Sequence, residues 1–236
     1  GKLLSKLTKK KVVYNFRQND LKNGGHGAPL TPIFHKMLEK KFNLKPVSFF
    51  NIGGILNKTT ILDDGDLSAT DCGPGMCLID KWIRTKSNKK YDKNGDIAKS
   101  GNVNELVLEK YRSSFQTSYS KKISYDISDF DISLAKGLSL EDGAATLTFH
   151  SANYFIANFK TNEKFKKISK EKTILCGGGR KNKFLVDILK SYNKEVKLVD
   201  EYGVDGDFIE SQAFAFLAIR SFLKLPISFP QTTGCI

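Results

Sequence analysis

No apolar run in the chain approaches the roughly 20 residues needed to cross a bilayer. The start, Gly1-Lys2-Leu3-Leu4-Ser5-Lys6, has no initiator Met and no apolar segment long enough for a signal peptide. The expectations are no membrane partner, no secretion, and a chain cut from something longer. Cysteines are few and scattered: Cys72, Cys77, Cys176 and Cys235. None forms a Cys-x-x-Cys pair and no His sits beside them at metal-site spacing, so zinc is not expected and no residue is assigned to a metal. Free thiols in a reducing, cytoplasmic setting are expected instead. An Arg-rich stripe is also missing. The charge of +13 in 236 residues comes mainly from dispersed Lys, with short clusters at Lys9-Lys10-Lys11 and Lys166-Lys167. No specific nucleic-acid binding is therefore expected, although an anionic ligand fits the charge. Neither the Gly-x-x-x-x-Gly-Lys-Ser/Thr phosphate loop nor Gly-x-Gly-x-x-Gly occurs.

What is present is an alternation of strand and helix signals, which argues for an α/β fold. Residues 11–16 look like a strand, followed by a Gly-rich loop over 23–29. A helix begins with Thr31 as N-cap and Pro32 in its first turn, with Ile33, Phe34, Met37 and Leu38 as the apolar stripe. Strands are expected at 46–52, 55–62 and about 67–71, with Asp63-Asp64-Gly65-Asp66 as a hairpin turn. A helix through Trp82 follows, pairing Leu78 with Trp82 and Ile79 with Ile83. The middle, about 87–135, carries a helix near 102–115 and a polar stretch. A long helix covers about 140–160, with Ser139 and Asp142 as a possible capping box and Leu147, Ala152, Phe155, Ile156 and Phe159 facing inward. Then come a strand at 173–176, a glycine turn, a helix at 181–192 bearing Phe184, Leu185, Ile188 and Leu189, and a strand at 195–199. This βαβ unit predicts a parallel pair. A final helix runs from near Asp207 to about Leu223.

Three glycine-rich turns stand at strand ends: Gly53-Gly54, Gly73-Pro74-Gly75 and Gly177-Gly178-Gly179. Glycine lets the backbone approach a ligand, and successive N–H groups make an anion-binding concavity. One such turn alone is as well explained by tight loop packing. Three at strand carboxyl ends point to a ligand site. Asp71, directly before Gly73-Pro74-Gly75, could serve as a general base or hold Mg²⁺ through water. It could equally cap the next helix or close the turn.

These residues fall into an ordered set. Asn51-Ile52-Gly53-Gly54-Ile55-Leu56-Asn57, then Asp71-Cys72-Gly73-Pro74-Gly75 with Leu78-Ile79-Asp80-Lys81-Trp82, resembles the central signature of the anhydro-N-acetylmuramic acid kinases. Phe16-Arg17, Asp20 and Gly24-Gly25-His26-Gly27-Ala28-Pro29-Leu30 are similar to an upstream block of that family. Tyr91-Asp92-Lys93-Asn94-Gly95, Ala145-Thr146-Leu147-Thr148, Cys176-Gly177-Gly178-Gly179 with Asn182, Glu210 with Ala213-Phe214-Ala215-Phe216-Leu217-Ala218, and Pro230-Gln231-Thr232-Thr233-Gly234 follow in order. The resemblance covers nearly the whole chain.

The resemblance implies an actin-like ATPase/RNase H-like two-domain sugar kinase fold that closes over ATP, with Mg²⁺ as cofactor. Residues 1–46, with the last helix over 207–236 packing back, would be what remains of the N-terminal domain. Residues 47–206 would form the second domain. The implied reaction opens 1,6-anhydro-N-acetylmuramic acid with water and phosphorylates O6, during cell-wall recycling. By the resemblance, Asp71 is the catalytic base; Gly53, Gly54, Gly73 and Gly75 lie near the phosphates; and Gly177, Gly178, Gly179 and Asn182 lie by the adenosine. Arg17, His26 and Glu210 are substrate-side candidates. Pairing with Asp20 would equally explain Arg17, and a capping box with Asp207 would equally explain Glu210. A homodimer is the assembly expectation. The family's Gly-Thr-Ser-x-Asp-Gly phosphate loop is absent, so this stretch alone is not expected to turn over substrate. His26 stands where Gln is usual and Met76 where Asn is usual. His35 and His150 are expected to be surface or packing residues, and Phe208, Phe214, Phe216 and Leu217 to be packing. Rival readings are a kinase of the same superfold for another sugar or small acid, and a non-catalytic nucleotide- or glycan-binding module.

Overall fold

The computed structural model describes residues 1–118, 125–160 and 172–235. Lys166-Lys167 and part of the polar middle stretch lie outside them. In chain order the helices and strands are α1 (Lys2–Thr8), α2 (Phe16–Lys22), α3 (Pro32–Phe42), β1 (Val47–Ile52), β2 (Ile55–Ile61), β3 (Leu67–Pro74), α4 (Cys77–Lys86), α5 (Asp96–Ser100), α6 (Glu105–Ser118), α7 (Leu140–Lys160), β4 (Lys172–Cys176), α8 (Lys183–Tyr192), β5 (Val196–Leu198), α9 (Ile209–Phe222) and α10 (Pro230–Thr233). The strands make one mixed five-stranded sheet in the order β3-β2-β1-β4-β5. Strands β4 and β5 are parallel, with Ile174 opposite Lys197, as the βαβ reading predicts. The β2–β3 turn closes with Leu62 N–H donating to Asp66 O at 3.0 Å, and Gly65 takes φ +88°.

The chain divides into two compact units. One holds Gly1–Val47, Thr59–Ala69 and the chain from Asp207 onward; the other holds Ser48–Lys58 and Thr70–Gly206.

In the first unit, α3 starts at Pro32 after Thr31 and buries Phe34 and Leu38. Ile33 and Met37 are only half-buried, because the inward face turns toward His35 and Glu39 instead. His35 Nδ1 lies 2.9 Å from Thr59 Oγ1. The ring of Phe34 meets Phe216 at 5.9 Å, and Phe16 meets Phe214 at 5.4 Å. The expected packing of Phe214, Phe216 and Leu217 therefore holds, but Phe208 is 57% exposed. The strand expected at 11–16 does not form. Asn15 enters the left-handed region at φ +60°, Val13 and Tyr14 stay exposed, and Phe16 opens α2. A short apolar run reads as strand only when a neighbour accepts its ladder.

In the second unit, Phe50, Ile52 and Leu56 of the sheet pack with Ala152 and Phe155 of α7 and with Leu185 and Leu189 of α8. A second cluster gathers Leu78, Ile79, Trp82 and Ile83 of α4 with Tyr111, Ala144 and Leu147. The i,i+4 pairs of α4 thus all face inward. Trp82 Nε1 donates to Leu140 O at 2.9 Å. The capping box at α7 is half made: Asp142 N–H donates to Ser139 Oγ, while the Asp142 carboxylate accepts from Asn102 N–H at 2.8 Å. His150 is buried between the rings of Tyr111 and Tyr154. Among the described residues no helix is long and apolar enough to cross a membrane.

Candidate active site

The three glycine turns come together. Gly75 N–H donates to Gly54 O and Met76 N–H to Gly53 O, both at 2.9 Å, which locks the second turn onto the first. A methyl group on Gly75 would strike Gly53 O, and one on Gly179 would strike Ile52. Gly177, at φ +80°, leaves no room for a side chain against Asn51 and Ile52. Gly53, Gly54, Met76, Gly178 and Gly179 line one cavity of about 720 Å³.

Two sequence expectations need correction here. Strand β3 runs on through Pro74, so Asp71 lies inside it and Gly73 is a strand residue, not part of a turn. Gly73 faces Tyr154, whose ring occupies the space a methyl would need. The first two turns are also not open rows of amides. Gly53 N–H, Gly75 N–H and Met76 N–H are spent on Ile55 O, Gly54 O and Gly53 O. Free donors are found at the third turn. The 3₁₀ turn Gly178–Lys181 closes with Arg180 N–H to Gly177 O and Asn182 N–H to Gly179 O, so Gly178 N–H and Gly179 N–H have no acceptor within it.

Asn182 sits at the floor of the same cavity, 3% exposed. Its Oδ1 accepts from Leu185 N–H at 3.0 Å and caps α8, which fixes the amide orientation. Its Nδ2 is buried without a partner. Gly95, at φ +78°, packs directly on this amide. That contact explains the Asp92–Gly95 block. Asp92 accepts from Ile97 N–H and Ala98 N–H, both at 2.9 Å, and so starts α5 and holds the turn in place. Lys93, Lys181 and Arg84 at the wall add positive charge, and burial raises the Asp80 carboxyl above its ordinary range. An unpartnered buried amide, two open N–H groups and a cationic rim suit a polar heterocycle carrying anions.

Behind the glycine turn, Arg180 is buried. It pairs with Asp200, Nε to Oδ2 at 2.7 Å and Nη2 to Oδ1 at 3.1 Å, and gives Nη1 to Gly177 O at 3.1 Å. This clamp fixes the turn from outside the cavity. Arg180 lies in the quoted motif region, but its partner 20 residues away carries no local signal.

Asp71 is not among the residues lining this cavity. Its Oδ1 accepts from Asn57 Nδ2, and its Oδ2 accepts from Tyr125 N–H at 2.9 Å. Next to it, burial pushes the Cys72 thiol up to about 12, against the pull of Lys58. Among the described residues no group of three His, Cys, Asp or Glu side chains gathers to hold a metal.

Arg17, His26 and Glu210 all lie in the first unit and are exposed. Arg17 lies against Gly27, whose added methyl would come within 3.3 Å of its Cβ. Asp20, buried, accepts from Gly27 N–H at 2.7 Å and from Thr233 Oγ1 at 2.6 Å. Burial works to raise its carboxyl, but bonds from Ser228, Thr233, Gly27 and Cys235 together hold it low. His26 N–H donates to Thr233 O at 2.8 Å. The Gly24–Leu30 block and the Pro230–Gly234 block are therefore one structure, joined through Asp20. Glu210 stands in the first turn of α9, where Phe208 is the N-cap and no side chain closes it. The Asp207–Glu210 capping box is not formed.

The family model described as anhydro-N-acetylmuramic acid kinase matches residues 1–236. The chain belongs to the anhydro-N-acetylmuramic acid kinase family. Curated relatives of that name share 48% identity in Pelagibacter ubique, 40% in Rhizobium johnstonii and 39% in Zymomonas mobilis, each over 99% of this chain. The chain spans 64%, 63% and 63% of their respective lengths. In this anhydro-N-acetylmuramic acid kinase family member, Asn57 and Tyr125 touch the candidate Asp71, and the Arg180–Asp200 pair braces the third glycine turn, contacts that no motif spacing points to. Asn57 was in view as the last residue of its motif. Tyr125 acts through its main chain, and no residue identity encodes that.

Proposed function

We propose that this chain carries the nucleotide side and the catalytic base of an ATP-dependent kinase that opens 1,6-anhydro-N-acetylmuramic acid and phosphorylates its O6. The observation that carries the reading is the meeting of the Gly53-Gly54, Gly75-Met76 and Gly178-Gly179 turns around one cavity floored by the unpartnered Asn182 amide. Gly178 N–H, Gly179 N–H and Asn182 Nδ2 would take acceptor atoms of the adenosine side. Gly53 and Gly54 would line the phosphate side, with Gly75, packed on Gly53 O, and Gly73, packed on Tyr154, shaping it from behind. The Asp71 carboxylate removes a proton from the water that attacks the anomeric carbon. The anomeric carbon–O6 bond breaks with inversion, and O6 takes the γ-phosphoryl group as ADP leaves. The water proton goes to Asp71 and then to solvent, so no general acid is needed.

Arg17, His26 and Glu210 are proposed sugar contacts. The fold proposed is actin-like, with residues 1–46 and 207–236 from one domain and 47–206 from the other. Mg²⁺ would arrive with the nucleotide, since the described residues assemble no cage for it. A homodimer and a cytoplasmic location complete the reading. The test is ADP release by the full-length protein with ATP and the anhydro sugar. Turnover that disappears in Asp71→Asn, while ATP still binds, supports the reading; turnover retained by that variant removes Asp71 from its role.

A further inference from the structure

Asn57 on β2 and Asp71 on β3 stand on neighbouring strands of the sheet. Their side chains meet, with Asn57 Nδ2 donating to Asp71 Oδ1. The other oxygen, Oδ2, accepts from the main-chain N–H of Tyr125, 54 residues further on. Tyr125 is itself held in place. Its ring lies 5.5 Å from the buried Phe130. The turn after it is closed on both sides, with Ser128 N–H donating to Asp126 Oδ1 at 2.9 Å and Asp126 N–H donating to Asp129 Oδ2 at 2.8 Å. Ile127 of that turn rests on Gly54, within 3.2 Å of where a methyl would stand. One carboxylate therefore ties together a strand pair and a capped turn seated on the glycine wall of the cavity.

We propose that Asn57 and the Tyr125 N–H form a two-donor cradle that aims the Asp71 carboxylate, which makes Asn57 a positioning residue for the base. The terminal torsion of an Asp side chain is broad and roughly two-fold when nothing holds it. One donor on each oxygen removes that freedom. Both bonds are charge-assisted, the stronger kind. The inference rests on the reading of Asp71 as the base, but the cradle can be tested without it.

The decisive measurement is amide hydrogen exchange on the whole chain, followed by NMR. Asn57→Leu should speed exchange at Tyr125 about tenfold, in keeping with the loss of one ordered hydrogen bond to a charged group. Exchange at Ile174 and Leu175 of β4 should not change, which separates lost positioning from a weakened fold. Asn57→Ser, smaller and polar, serves where the Leu variant does not fold. The side-chain NH₂ resonances of Asn57 should shift clearly between wild type and Asp71→Asn, which replaces the charged acceptor with a neutral one. Unchanged Tyr125 exchange in the folded Asn57 variants, or Asn57 resonances indifferent to Asp71→Asn, would overturn the cradle. In the full-length protein, with ATP and the anhydro sugar, Asn57→Ser should lower kcat about tenfold and leave the KM for ATP alone. Retained turnover in Asp71→Asn removes the kinase role of that carboxylate instead, so the two failures are distinguishable.

Discussion

The Arg180 guanidinium grips the Asp200 carboxylate at two points, 2.7 and 3.1 Å, and passes its remaining nitrogen to Gly177 O. Arg180→Ala leaves Gly177 O and the Asp200 carboxylate without this partner. A loss of about 2 kcal/mol is expected, because Asp200 is still partly wet. Denaturant unfolding at pH 7 checks it. Arg180, first among the causes, holds the Asp200 carboxyl below its ordinary range. That contribution is present above the ordinary carboxylate value and is lost as pH falls through the lowered one. Wild type should therefore lose stability in acid more steeply than Arg180→Ala.

Asn182 separates two functions in one side chain. Asn182→Ala removes the α8 cap and should cost about 1 kcal/mol of stability. Asn182→Asp keeps an acceptor for Leu185 N–H, so its melting temperature should stay near wild type. It loses the Nδ2 donor and places a charge in the cavity, so ATP affinity should fall about tenfold or more. Calorimetric titration with ATP, set beside thermal melts, distinguishes the two variants.

The glycines of the site should not respond alike. Gly75→Ala drives a methyl into Gly53 O, a main-chain atom that cannot step aside. A stability loss of about 2 kcal/mol is expected, with nucleotide binding lost as the turns part. Gly178 has open space around its missing side chain. Gly178→Ala should melt like wild type yet bind ATP more weakly, because the methyl enters the cavity the ligand needs. Equal ATP affinity for Gly178→Ala and wild type would sink the adenosine-side assignment of that turn.

His35 and His150 are both buried and pushed down to about 4, His35 by burial and His150 by burial with Arg112 adding repulsion. Their lowered values mean the unfolded chain binds more protons between pH 6.5 and 4. Stability is full above 6.5 and falls as pH drops through that window. The loss is on the order of 3 kcal/mol per histidine. Thermal melts from pH 7 to 4 should show the slope, and His150→Phe should flatten it.

Much of the site was legible before any coordinates. The turns at Gly53, Gly75 and Gly178, the start of α3 at Pro32 and the inward face of α4 are all local patterns, and each is where it was expected, although Thr31 gives α3 no side-chain cap. The misreadings also have local causes. Val12-Val13-Tyr14 looks like a strand, yet among the described residues no strand pairs with it. Asp207 and Glu210 have capping-box spacing, but Phe208 and not Asp207 takes the N-cap position of α9, so the box does not form. Asp71 was placed at a strand end because the following glycines look like a turn, whereas the sheet carries Gly73 and Pro74 with it.

The order of residue types along the chain determined the helices and strands, the glycine bends and membership of the family, because those depend on spacings of a few residues. Only the tertiary structure decided that Asp71 is held by Asn57 and Tyr125, that Gly95 presses on Asn182, and that Thr233 reaches Asp20 across 213 residues. Such pairings are chosen by packing. A buried donor must find an acceptor wherever the folded chain happens to bring one, and no local pattern records where that will be.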